Sequence, residues 1–348
     1  MLTPLFQFTQ KEQASDLHLT TDRPAFMRKQ GDLIQITRET INHEKLIEAL
    51  YRMISPDEIS AFEKQGSLDF ATSISLQSQT LRLRGHYFKN TQGMTAVFRL
   101  IRDQKITLDE IHAPAIFKKL IKQRNGLILI TGATGSGKST TLSALIHEIN
   151  QTQCRHIITI EDPIEFIYQS ENSLIEQREL SEHTSSFPLA LKDALRADPD
   201  IIVIGELRDK ESVNLALQAA ETGHLVISTL HTSSAAKTIH RLLCFFPINE
   251  HDQLRIQIAE LLNATIAQSL INIDTQRYAL FEVLTVNSAI ANLIREHKIA
   301  QIESNIQTGS TFGMQTFQQH LEFLKKSGIL SDLLAKQAQN LLNPEIYS

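Results

Sequence analysis

Two different patterns of hydrophobic and polar positions divide the chain near residue 105. Before that point, Ser15-Asp16-Leu17-His18-Leu19-Thr20 alternates polar and apolar residues as a half-buried strand does. A helix is expected at about 43–54, and further strands at about 80–88 and 94–101. These elements predict a small α/β domain over residues 1–105. Residues 106–113 are expected to form a linker.

From about residue 114 to the end at 348, helical patterns alternate with continuous apolar runs. An amphipathic helix is expected around Ile116–Ile121, and buried strands are expected at 127–130, 156–161, 200–205 and 224–230. This alternation predicts a mostly parallel sheet with helices on both faces. The region from about 270 to 348 is expected to be mainly helical, with one strand at 278–283.

A phosphate-binding loop follows the first of these buried strands. The sequence fits G-x-x-x-x-G-K-[ST] at every fixed position, and a helical pattern follows directly. Strand, loop and helix in this order direct backbone N–H groups and a helix N-terminus at phosphate. We therefore expect ATP to contact Gly132, Ala133, Thr134, Gly135, Ser136, Gly137, Lys138, Ser139 and Thr140. Lys138 would reach the β- and γ-phosphates, and the Ser139 hydroxyl would coordinate Mg²⁺.

Acidic residues end two of the other predicted strands, where ligands gather in a parallel sheet. The run at 156–161 leads into Glu161, Asp162 and Glu165, and a carboxylate there can orient the water that attacks the γ-phosphate. The run at 200–205 leads into Glu206, the pattern of an acid that holds Mg²⁺ directly or through water.

Histidines bracket the strand at 224–230. A lone histidine is more often structural than functional, but His231 lies at the ligand-facing end, where it can donate a hydrogen bond to the γ-phosphate. His224 precedes the strand. The spacing of the two fits no zinc motif.

Arginines of the N-terminal region are open to two interpretations. Arg82 and Arg84 share one face of a strand, and Arg99 lies on the face opposite Ala96, Phe98 and Leu100. They form either a solvated face or a set of arginine fingers that reach phosphate from another domain or subunit.

Composition limits the remaining classes. The net charge of −5 does not favour a nucleic-acid partner. No apolar run approaches the length of a membrane span, and the N-terminus has no signal-peptide pattern, so no membrane insertion is expected. The two cysteines, Cys154 and Cys244, have no metal-ligand spacing and are typical of a reduced, cytoplasmic protein.

Together these segments resemble the secretion-superfamily ATPases, and within them the branch that retracts type IV pili. The resemblance rests on the N-terminal strand Ser15–Leu19, the phosphate loop, Thr159–Phe166 (Asp box), Ala197–Asp209 (Walker B) and Thr222–Thr232 (His box). Ala289–Glu296 is similar to the signature of that branch, with Ala291 where the signature carries arginine. Gly313-Met314-Gln315-Thr316-Phe317 is also typical of it.

The resemblance implies a PAS-like N-terminal domain, a RecA-like ATPase domain, a homohexamer and a cytoplasmic motor of pilus disassembly at the inner membrane. It implies that Glu165 is the general base, with Glu161 as the alternative, and that Glu206 is the Walker B acid. It adds His224 and His231 as His-box residues and Arg82, Arg84 and Arg99 as arginine fingers. The implied partners are the inner-membrane platform protein and the rest of the pilus machinery.

Three alternatives stay open at the level of sequence. A pilus-assembly or secretion ATPase of the same superfamily usually has a longer N-terminal region and a tetracysteine zinc module. A RecA-like DNA motor is disfavoured by the acidic net charge. A regulatory subunit that binds ATP without turnover is disfavoured by the presence of Lys138, Glu165 and Glu206.

Overall fold

A computed structural model describes residues 2–29, 31–76, 79–101, 105–180, 182–273 and 276–342. The chain divides into two compact units, Met1–Gln104 and Lys105–Ser348. The expected linker at 106–113 belongs to the second unit, because Leu108 is buried in that unit's hydrophobic core. Residues 343–348 of the expected second domain lie outside the described residues.

An antiparallel sheet with helices forms the first unit. The elements are α1 (Leu2–Lys11), β1 (Asp16–Thr20), β2 (Phe26–Lys29), β3 (Asp32–Gln35), α2 (His43–Tyr51), α3 (Pro56–Gln65), β4 (Ser67–Leu76), β5 (Gln79–Asn90) and β6 (Gly93–Ile101). The strand order is β3-β2-β1-β6-β5-β4. Leu17, Leu83 and Phe98 are fully buried, as the period-two pattern of their strands predicts.

Strands and helices alternate in the first part of the second unit. Its elements are α4 (Phe117–Leu120), β7 (Gly126–Thr131), α5 (Lys138–Thr152), β8 (His156–Glu161), β9 (Leu174–Glu179), α6 (Phe187–Ala194), β10 (Ile201–Ile204), α7 (Lys210–Glu221), β11 (Leu225–Leu230), α8 (Ala235–Cys244) and α9 (His251–Leu261). The predicted strands are present. The helix expected around Ile116–Ile121 is a single turn.

The end of the chain differs from expectation because a long hairpin precedes the helices. Its strands are β12 (Leu262–Ile273) and β13 (Gln276–Thr285), followed by α10 (Ser288–Arg295), α11 (Ala300–Thr308), α12 (Phe317–Lys326) and α13 (Asp332–Leu342). The helical region therefore begins at Ser288, not near residue 270. The polar residues Thr265 and Gln268 interrupt the apolar pattern of β12, which obscures it in the sequence.

Parallel pairing organises this second sheet, in the order β13-β12-β7-β11-β10-β8-β9, with β13 antiparallel to β12. Helices cover both faces. Ile128 and Ile130 of β7 pack in the core that contains α5, and Leu127 and Leu129 pack in the core that contains α7, α8 and α9. The predicted α/β architecture, with a mostly parallel sheet covered by helices on both faces, is confirmed. Of the helices described, none is long and apolar enough to cross a membrane.

Candidate functional site

The phosphate loop connects the central strand β7 to the N-terminus of α5. Gly132 donates its N–H to the carbonyl of Leu230 at 3.3 Å, which ties the start of the loop to the end of β11. Gly137 has φ of +87°, a left-handed conformation that favours glycine, and it provides no side-chain cap for α5. The first N–H groups of α5 therefore remain open to an anion, as a helix N-terminus allows.

Lys138 is a buried cation beside the loop. Its ammonium donates to the carbonyl oxygens of Gly132 at 2.9 Å and Ala133 at 3.0 Å. Desolvation lowers the pKa of this ammonium, while the negative charges of Glu206 and Glu165 oppose that shift. The positive charge of Lys138 therefore interacts with the negative charges of Glu206 and Glu165.

A chain of polar contacts links Lys138 to the end of β10. Nζ of Lys138 lies 3.4 Å from Nδ1 of His231, and Nε2 of His231 lies 3.0 Å from Oε1 of Glu206. The imidazole of His231 therefore lies between the ammonium of Lys138 and the carboxylate of Glu206.

Arg208 extends this chain to the segment after β8. Its Nε donates to Glu206 at 3.0 Å and its guanidinium donates to Asp162 at 2.8 Å. The hydrogen bond with Glu206 is the main cause that raises the pKa of Arg208. One guanidinium therefore joins the carboxylates that follow two neighbouring strands, β8 and β10.

Two glutamates of the Asp box have different surroundings. Glu161 is buried and accepts hydrogen bonds from Thr159 at 2.7 Å and Gln177 at 3.2 Å. Burial raises its pKa, and these hydrogen bonds oppose the shift. Glu165 is exposed. Only Glu165 has a side chain that is open to an incoming water molecule.

His224 lies apart from this constellation. It precedes β11, whereas the phosphate loop and His231 lie beyond the carboxyl end of that strand. Seven residues of extended chain separate the two histidines, a distance of roughly 20 Å. Nδ1 of His224 contacts the carbonyl of Ala219 at 2.9 Å and the hydroxyl of Thr222 at 3.1 Å. The expectation that His224 is a catalytic residue of the same site is not supported by this placement.

The three arginines lie together in the first unit. Arg84 and Arg99 are directly opposite each other on β5 and β6, and Arg82 shares their face. Nε of Arg99 donates to the buried carboxylate of Asp16 at 3.0 Å. Arg84 is exposed. The sheet thus presents a basic face, with Arg99 anchored within it.

Mg²⁺ fits the donors available beside the loop. Ser139 occupies the second position of α5, and Glu206 follows β10 and is linked to Lys138 through His231. Among the described residues there is no group of three histidine, cysteine or acidic side chains that could hold a metal ion by itself. Mg²⁺ is usually bound through one or two protein oxygens and the phosphates of the nucleotide.

Gln268 is also part of this site, although the sequence does not predict it. Its amide accepts a hydrogen bond from Thr141 of α5 at 2.7 Å, and its backbone carbonyl lies against Gly132. No sequence signal points to it, because it lies on β12, far from the loop along the chain. Arg208 could have been found, because it lies two residues after Glu206 in the segment that follows β10.

Comparisons with known proteins find relatives over most of the chain. The family model described as Type II/IV secretion system protein matches residues 1–311. A twitching motility protein of Neisseria gonorrhoeae is 44% identical over 317 residues, which cover 90% of this chain and 84% of that protein. The type IV pilus retraction ATPase PilT of Pseudomonas aeruginosa is 43% identical over 331 residues, 95% of each chain.

A solved structure shows the same architecture. The crystal structure of the pilus retraction motor PilT with bound ADP matches with a TM-score of 0.87 and 38% identity, and the match covers 97% of this chain and 96% of the other. The fold is therefore shared over nearly the whole chain.

Proposed function

This chain belongs to the family of type II/IV secretion system proteins, and from that premise we propose that it is an ATPase motor that drives type IV pilus retraction. The observation that carries the proposal is the contact chain from Lys138 through His231 to Glu206 beside an open phosphate loop. It occurs in a chain that matches a pilus retraction ATPase over 95% of both lengths.

Hydrolysis requires a water molecule, a base and positive charge at the γ-phosphate. The water oxygen forms a bond to the γ-phosphorus, the bond to the β–γ bridging oxygen breaks, and ADP leaves with that electron pair. Glu165 accepts the proton of the attacking water. Lys138 meets the charge that spreads over the γ-phosphoryl oxygens, and His231 links Lys138 to Glu206.

The remaining side chains hold this arrangement. Ser139 and Glu206 would bind Mg²⁺, which supplies charge neutralisation at the β- and γ-phosphates. Arg208 keeps Glu206 and Asp162 in place through its two hydrogen bonds. Glu161 supports the Asp box through its buried hydrogen bonds and does not contact the reacting atoms.

Motor action is proposed to need several copies of the chain. In a homohexamer at the cytoplasmic side of the inner membrane, Arg82, Arg84 and Arg99 would complete the nucleotide site, and the platform protein of the pilus machine would receive the motion. The support is the basic face that these arginines form and the single phosphate-loop cation that each chain contributes.

The test is deletion of the gene followed by a count of surface pili. Loss of a retraction motor leaves pili in excess and static, and the wild-type gene restores twitching whereas a Lys138→Ala gene does not. Loss of pili altogether would instead indicate an assembly ATPase. Stimulation of ATP hydrolysis by DNA would indicate a DNA motor.

A further inference from the structure

Gln268 is a buried polar side chain on the strand next to the phosphate-loop strand. β12 pairs in parallel with β7, with Ile266 opposite Ile130 and Ala267 opposite Thr131. Ala264 and Ile266 pack in the core that contains α5. Gln268 follows Ile266 by two residues along the strand, so its side chain also lies on the α5 side. It is only 4% exposed.

Three contacts join this residue to the loop. A Cβ at Gly132 would lie 2.5 Å from the Gln268 backbone carbonyl, and a Cβ at Gly137 would lie 2.9 Å from its amide nitrogen. The side-chain oxygen accepts a hydrogen bond of 2.7 Å from Thr141, which is itself fully buried on α5. Gln268 therefore touches the start of the loop, its last glycine and the first turns of the helix.

We propose that Gln268 is a positioning residue for the phosphate loop, acting through Thr141 to fix the N-terminus of α5 for the phosphates of the nucleotide. The proposal rests on the proposed ATPase function and deepens it. Phosphate binding depends on several N–H groups that converge on one point. The Thr141 hydrogen bond fixes the rotation of α5, and contact with both glycines fixes the ends of the loop.

A plain packing role makes a different prediction. If Gln268 only fills space, its loss lowers stability and leaves the affinity of the folded protein for nucleotide unchanged. If it positions the loop, loss of the Thr141 hydrogen bond leaves a buried group unpaired and weakens nucleotide binding in the folded protein. Binding measured on folded protein separates the two.

The experiment measures binding of fluorescent mant-ADP with Mg²⁺ to the full chain, together with thermal unfolding. Thr141→Val and Gln268→Leu should each weaken binding by about 10-fold. Thr141→Ser keeps the hydroxyl and should stay within about twofold. The double variant should bind no more weakly than Gln268→Leu alone, because Thr141 acts through its hydrogen bond to Gln268.

Thr265→Val is the matched control. Thr265 lies on the same strand with a buried hydroxyl that has no partner, so the same chemical change there should leave affinity within about twofold of wild type.

Unchanged mant-ADP affinity in Thr141→Val would overturn the proposal, even with a lower melting temperature. If Gln268→Leu does not fold, the comparison of Thr141→Val with Thr141→Ser decides. Failure of the ATPase proposal is recognised separately, as a wild-type protein that binds mant-ADP but does not hydrolyse ATP.

Discussion

Glu161 and Glu165 lie in one short segment, yet burial separates their roles. Glu161 has its carboxylate occupied by Thr159 and Gln177, whereas Glu165 is exposed beside the site. A general base must reach the water that it activates, and a buried carboxylate does so poorly. The placement therefore favours Glu165, the choice that the family resemblance implies.

Glu165→Gln should lower kcat by about 10²-fold or more with little change in nucleotide affinity, since it keeps the size of the side chain and removes the base. Glu161→Gln should retain most of the activity, because burial already favours the neutral form of that group. Steady-state ATPase kinetics of both variants test this. Normal turnover in Glu165→Gln with an inactive Glu161→Gln would assign the base to Glu161.

At the scale of elements, α10 carries the segment that resembles the retraction signature. A test that separates motility from catalysis needs a side chain of this helix whose loss leaves the fold intact. The structure shows that Ile294 is fully buried in the core shared with α9, so its replacement is a test of packing. Arg295, at the end of the helix, is exposed and suits the purpose better.

Arg295→Ala should change the free energy of unfolding by at most about 0.5 kcal/mol and leave ATP hydrolysis intact, while twitching is lost. Ile294→Ala should reduce the free energy of unfolding by about 2–5 kcal/mol through the cavity it leaves, so both activities should decline together. Urea unfolding, ATPase rates and twitching zones are the measurements. Normal twitching in Arg295→Ala would show that α10 contributes packing alone.

α12 is attached to the sheet through His320. This fully buried ring accepts a hydrogen bond from the Phe281 N–H at 3.2 Å through Nδ1, and its Nε2 donates to the carbonyl of His112 at 3.2 Å. Burial lowers the pKa of His320 to about 4. The unfolded chain therefore binds a proton at higher pH than the folded chain does.

The stability due to this depressed pKa should be present above about pH 6.5 and be lost as the pH falls from there towards about 4. The shift corresponds to a loss on the order of 3 kcal/mol over that window. His320→Gln keeps an acceptor and a donor but does not titrate, so its urea stability should fall less steeply between those pH values. Parallel pH profiles for the two proteins would contradict this assignment.

The sequence predicts elements that carry their pattern locally, and fails where the pattern depends on distant partners. β8, β10 and β11 are almost continuous apolar runs because both of their faces are covered, and these were predicted. β12 was missed because its polar side chains find their partners only in the folded protein. Gln268 is the clearest case, since Thr141 lies on another element and no local rule pairs them.

For the whole molecule, substitutions test the proposal that the basic face of the first unit takes part in hydrolysis. We predict that Arg84→Ala lowers kcat by about 10²-fold or more with little change in nucleotide affinity, because a second cation meets the transition-state charge. Arg99→Ala is a less clean test, since it also leaves the buried carboxylate of Asp16 without this partner. Lys89→Ala, on the opposite face of β5, is the control.

A fragment of residues 105–348 tests the same idea without substitutions. It should bind ATP yet hydrolyse it poorly. It starts at 105, not 114, because Leu108 packs in the core of the second unit. Full activity of this fragment, or of Arg84→Ala, would show that the arginines form a solvated face.

The late position of β12 in the chain has a consequence for synthesis. The ribosome completes the phosphate loop long before it adds Gln268, and at 5–20 residues per second the interval is on the order of ten seconds. During that time β7 lacks the neighbour that pairs with Ile130 in the finished sheet. The nascent loop is therefore exposed with one strand edge open, a state that chaperones protect and proteases attack. A message truncated before residue 262 would leave that edge permanently open, so such a product should aggregate rather than accumulate as a partial motor.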